Sequence, residues 1–134
     1  MRCLIAVFAL FLTACSGGKD LAVAESAVSQ FHGDLNAGRF GQIHDQAGNE
    51  WKNATTKPDA VELFSAVRTK LGAFVSGTQE GWRVNHGTGG TSVVVQYRSS
   101  FRNGEGTETF TFRSNRDGAQ LVGYNINSNA LITG

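Results

Sequence analysis

The chain has 134 residues, with 12 Lys plus Arg against 11 Asp plus Glu and a net charge of +1 when the histidines are neutral. That length suits one domain. The charges alternate in sign with no block of five, so there is no basic field of the kind that draws in nucleic acid or an anionic lipid surface, and no nucleic-acid partner is expected.

Met1-Arg2 opens the chain with one positive charge, and Cys3 to Ala14, CLIAVFALFLTA, carries none. This apolar run has the length of a signal-peptide core and falls short of the roughly 20 residues that span a bilayer. Leu12-Thr13-Ala14-Cys15 resembles the lipobox of bacterial lipoproteins. The resemblance implies a signal peptide over residues 1–14, cleavage before Cys15, and a diacylglyceryl group, with further acyl chains such as palmitate, on that cysteine. One acyl chain binds a membrane only marginally, so several on one residue are what make an anchor stable. Cys3 and Cys15 are the only cysteines, so removal of one and lipidation of the other leave no thiol for a disulfide or a metal. Ser16 after Cys15 resembles the default for the outer membrane, facing the periplasm, in a Gram-negative envelope. Loss of residues 1–14 also removes Arg2, which brings the side-chain charges to balance.

Residues 15–21, including SGGKD, read as a lipidated cysteine and flexible tether, and residues 22–134 as a single domain. Ala24, Ala27, Val28, Phe31 and Leu35 recur three and four apart and predict a helix from about Ala22 to Ala37, with Gly38 as its cap. Phe40, Ile43 and Ala47 predict a short second helix, and AGNEWKNATTKP a connection anchored by Trp51. Asp59 and Glu62 suit the start of a third helix, which carries Ala60, Phe64, Val67 and Leu71 on one face and stops at Gly72. From Phe74 the period changes to two. Strands are expected over Phe74–His86, through Val93, Val95, Tyr97 and Phe101, through Phe110 and Phe112, and through Val122, Tyr124 and Ile126. HGTGGT, Asn103-Gly104 and Asp117-Gly118 are the turns between them.

Helices followed by hairpin-linked strands predict an α+β fold, with N-terminal helices packed on a curved antiparallel four-stranded sheet. The segments FHGDLNAGRFGQI, KLGAFVSG, TSVVVQYRSSFRNGEGTETFTF and LVGYNI resemble the cystatin-like cone of nuclear transport factor 2-like proteins over about residues 22–132. Small bacterial lipoproteins of unknown function share that layout. The resemblance implies the cone and leaves the function open, because isomerases, dehydratases, binding modules and assembly scaffolds all use it.

Ketosteroid isomerases of that fold place a carboxylate base and a tyrosine inside an apolar cone. Here Tyr97 and Tyr124 are expected on inward faces, as core aromatics with bonded hydroxyls, and no Asp or Glu is expected beside them. His44 and Asp45 are adjacent on a helix, so they cannot face one point, and both are expected in solvent. His32 flanks the apolar stripe of the first helix as a boundary residue. The three histidines are not at metal-ligand spacing. No catalytic residue, cofactor or metal is therefore assigned. GTGG, Gly87 to Gly90, lacks the Lys-Ser/Thr of a phosphate loop, and the Asn53-Ala54-Thr55 sequon is read as accidental.

The ligand-binding candidates are Phe74, Trp82, Tyr97, Phe101, Phe112 and Tyr124, expected to line a hollow between sheet and helices. Dense packing of protein interiors favours filling of that hollow by side chains. Asn125, Asn127 and Asn129 form a polar row on the last strand. The expected function is a non-enzymatic binding or assembly module for a partner protein or small apolar ligand, held to the membrane through Cys15. The alternatives are an isomerase-like or hydrolase-like enzyme, which would need an acid in the cone, and a periplasmic inhibitor of a toxin or cell-wall enzyme.

Overall fold

A computed structural model of the chain describes residues 16–115 and 118–133. The expected signal peptide over residues 1–14, Cys15 and Asp117 lie outside the described residues. Helix α1 (Ser16–Ala37) is followed by α2 (Phe40–Gln46), α3 (Asn49–Ala54) and α4 (Lys57–Leu71). Strands β1 (Phe74–Gly87), β2 (Gly90–Phe101), β3 (Gly104–Asn115) and β4 (Gly118–Asn127) come next, and α5 (Asn129–Thr133) closes the chain. The strands form one antiparallel meander in the order β1-β2-β3-β4, the α+β arrangement expected from the change of period.

The apolar positions of α1 and α4 are buried as the helical spacing requires: Ala24, Val28, Phe31 and Leu35 on α1, and Ala60, Phe64, Val67 and Leu71 on α4. The odd positions Val93, Val95 and Phe101 of β2 and the even positions Phe110 and Phe112 of β3 meet them from the sheet. Phe31 packs edge-on against Phe64 and Phe110 at ring separations of 5.5 and 5.1 Å. Phe110 stacks on Phe112, and Trp51 on Phe64. Burial of each phenylalanine contributes about 1.5–3 kcal/mol, so this cluster supplies much of what holds helices to sheet.

Gly38 and Gly72 both take φ +76° at helix ends. After α1, Arg39 N–H reaches the Asp34 carbonyl at 2.9 Å, the six-to-one bond of a Schellman cap. The start of α4 lies earlier than expected. Thr56, not Asp59, is the cap, and its hydroxyl accepts from the Asp59 N–H. The expected tether is also helical: α1 runs back to Ser16, held where the Ser114 hydroxyl donates to Asp20 and Leu21 packs on the core.

Two short helices correct the element list. Asn49–Ala54, expected as a connection, is helical around Trp51. Asn129, expected on the last strand, opens α5. The hairpin between β2 and β3 turns at Arg102-Asn103, one residue before the expected dipeptide, because their N–H groups bond to the carbonyls of Ala73 and Leu71 at the end of α4. Bulges break the register of β1 between Phe74 and Ser76 and between Gln79 and Gly81, and a third lies in β4 opposite Thr111 and Phe112. Bulges bend a strand and increase its twist, and the β4 bulge lets both Leu121 and Tyr124 turn inward.

Candidate functional site

Alternation along β3 decides the site. Phe112 and Phe110 point into the core, and two residues further back Glu108 points the same way, with no exposed surface. The expectation that the cone interior lacks a carboxylate is therefore overturned. A charge in that position requires partners, and it has two. The Tyr124 hydroxyl donates to Glu108 Oε2 at 2.7 Å, and His32 Nε2 lies 2.7 Å from Oε1. His32 is buried on α1, beside Phe31, and is a partner of the sheet rather than a boundary residue. Its ring stacks on Phe74, with centroids 3.6 Å apart and an interplanar angle of 4°.

This network also shapes the tyrosine. Burial first, then the charge of Glu108 and the hydrogen bond to it, push the Tyr124 phenol well above its ordinary pKa of 10.0. The phenol is thereby fixed as a donor. Among the described residues nothing else bonds to the His32 ring, so Nδ1 carries no structural hydrogen bond. With Nε2–H donating to Glu108, Nδ1 is the ring nitrogen outside the network.

His32 lies at the base of an open cleft of about 670 Å³ between α1 and the β1–β2 edge. Glu25, Ser29 and Asn36 line it from the helix, and Phe74, Gln79 and Tyr97 from the sheet. Asn36 ties the two sides together: its amide donates to the Phe74 carbonyl, and its oxygen accepts from the Phe74 N–H. Gln79 is paired across the strands with Tyr97, and Tyr97 with Glu108. Burial, and secondarily the carboxylate of Glu25, raise the Tyr97 pKa.

The six expected lining residues separate. Phe74 and Tyr97 line the cleft. Phe101 and Phe112 are buried in the core, and Phe112 borders only a narrow crevice of about 70 Å³ beside Phe31 and Leu121. Tyr124 packs among Phe31, Phe64 and Phe110, so aromatic rings fill the expected hollow and the cleft lies to one side. Trp82, on the edge strand, is 53% exposed and lines a surface depression with Arg83, Val94 and Gln96.

The second histidine–carboxylate candidate comes apart. His44 is buried, not solvated, and its Nε2 bonds to the Thr55 carbonyl at 2.8 Å, whereas Asp45 is exposed and pairs with Lys57. His86 bonds to Thr91 on the hairpin. Among the described residues no three His, Cys, Asp or Glu side chains converge on a metal position, and no helix is long and apolar enough to cross a membrane.

A family model described as "Protein of unknown function (DUF3887)" matches residues 28–121, more than half of the chain. The chain belongs to the DUF3887 family. The matched segment contains His32, Phe74, Tyr97 and Glu108, while Glu25 and Tyr124 fall just outside it. No curated protein matches the chain.

Proposed function

We propose that this DUF3887 chain is a bacterial envelope lipoprotein, anchored through Cys15, whose nuclear transport factor 2-like domain binds a small organic molecule in the cleft between α1 and the β1–β2 edge. The observation that carries the reading is the cleft itself. Aromatic walls from Phe74 and Tyr97 stand beside polar groups from Ser29, Asn36 and Gln79 and the ring of His32. Apolar walls with a few placed polar groups characterise small-ligand sites, and the core beneath is too well packed to admit one. The lipobox supports the anchor and the element order supports the cone. Amide chemical-shift mapping of the domain against a fragment library tests the site. Shifts clustered at Ser29, His32, Asn36, Gln79 and Tyr97 are expected, and shifts clustered elsewhere would refute it. Cys15→Ser should move the protein out of the membrane fraction, and retention there after signal cleavage would refute the anchor.

A second reading, an isomerase-like enzyme, is favoured by the His32–Glu108–Tyr124 chain. A carboxylate behind a histidine fixes its tautomer and leaves the other nitrogen to take a proton. The step would be transfer of a proton from carbon next to a carbonyl to His32 Nδ1 and its return to another atom of the same molecule. Solvent-deuterium incorporation into small cyclic ketones checks this. Exchange that disappears in folded His32→Gln supports it, and exchange no faster than in that variant refutes it.

A further inference from the structure

The permanently charged side chain in the cleft lining is an acid. Glu25 is the only carboxylate among its lining residues, and no Lys or Arg lines it. Glu25 forms no ion pair with any described residue. Arg98, next to Tyr97 on β2, pairs with Glu80, and Arg83 on β1 lines the separate depression beside Trp82. Glu108 stands behind His32 as a second, buried carboxylate. The permanent charge in the cleft lining is therefore the carboxylate of Glu25, and it acts beside low-dielectric aromatic walls.

Two further observations bear on what the cleft takes. Phe74 and Tyr97 line it with aromatic rings, and such rings attract an ammonium as well as an apolar body. Gln79 lines the same cleft, and its Nε2 is buried without a hydrogen-bond partner. A buried amide nitrogen without a partner is costly, and a hydroxyl or carbonyl oxygen of a bound molecule would satisfy it.

We propose, resting on the small-ligand reading above, that the cleft selects an organic cation, an amine with an aromatic or apolar body, and rejects anions of the same shape. Glu25 supplies the countercharge at the mouth, Phe74 and Tyr97 hold the body, and Gln79 meets an oxygen where the ligand has one. Anionic ligands have no Lys or Arg in the lining to meet them and face the carboxylate of Glu25.

The test is calorimetric titration of the full-length protein in micelles with three molecules of one size: benzylammonium, benzyl alcohol and benzoate. Benzylammonium is expected to bind at least about fivefold more tightly than benzoate, the scale of one charge contact near a protein surface. Glu25→Gln, an exposed change that leaves the core untouched, should remove that preference and leave benzyl alcohol unchanged. Benzoate binding as tightly as benzylammonium, or a preference that survives Glu25→Gln, would overturn the charge selection while the benzyl alcohol result upholds the cleft. Failure of all three to bind would overturn the small-ligand reading and this inference with it.

Discussion

Glu108→Ala exposes what the buried network contributes. The side chain has no contact with solvent and accepts two bonds of 2.7 Å, from Tyr124 and from His32. Hydrogen bonds to a charged group contribute about 1.5–3 kcal/mol each. Truncation removes both and leaves a buried imidazole and phenol without an acceptor, so a loss of about 3–5 kcal/mol is expected, the range for breaking a buried pair from one side. Glu108→Gln keeps the shape. Its amide oxygen can still accept from Tyr124 and its amide nitrogen can donate to the other tautomer of His32, so about 1–2 kcal/mol is expected. Urea unfolding of the chain from Ser16 onward measures both, with unchanged m-values as the check on two-state behaviour. A double-mutant cycle of Glu108→Ala with His32→Ala should show coupling above about 1 kcal/mol. A loss below about 1 kcal/mol for Glu108→Ala, or additivity of the two changes within about 0.5 kcal/mol, would refute the network as drawn.

The raised pKa of Tyr124 has a signed consequence. The folded state keeps the phenol proton at pH values where the unfolded chain releases it, so this contribution is complete below the ordinary 10.0 and is lost as pH climbs toward the folded value. Stability should therefore fall more steeply above about pH 10 than in Tyr124→Phe, and parallel alkaline profiles would count against the burial of that phenol. Gly48→Ala places a Cβ 2.7 Å from Val122 Cγ1 on the β4 bulge. A stiff neighbour cannot yield cheaply, so about 1–3 kcal/mol should be lost and partly regained with Val122→Ala; an unchanged denaturation midpoint in Gly48→Ala would show that the bulge gives way. Phe110→Ala should cost about 3–5 kcal/mol by the same unfolding assay, whereas Trp82→Ala at the exposed edge should stay within about 0.5 kcal/mol.

Much of the fold was legible in the local pattern, because burial has a period. Three-and-four spacing marks Val28, Phe31 and Leu35 as one face of α1, and alternation marks Val93 and Val95 on β2. Glu108 was legible too. It lies two residues before Phe110 and shares its face, so the parity that buries Phe110 and Phe112 already aims Glu108 inward. A charged residue type argues for solvent, and only the presence of partners reverses that argument. Those partners are distant in sequence: His32 is 76 residues away, on a helix formed before the sheet begins, and Tyr124 is 16 away, across a hairpin. The short α3, the turn at Arg102-Asn103 and the bulge before Tyr124 were hidden for a related reason. Each is stabilised by long-range contacts, through Trp51 on Phe64, the carbonyls at the end of α4, and Gly48 against Leu121 and Val122. The sequence by itself determined the helix-then-strand order and the apolar faces, since these follow from local backbone geometry and the cost of wetting them. The tertiary structure decided which polar side chains went inside, because burial of a charge is permitted only where the rest of the chain delivers its hydrogen-bond partners to the same point.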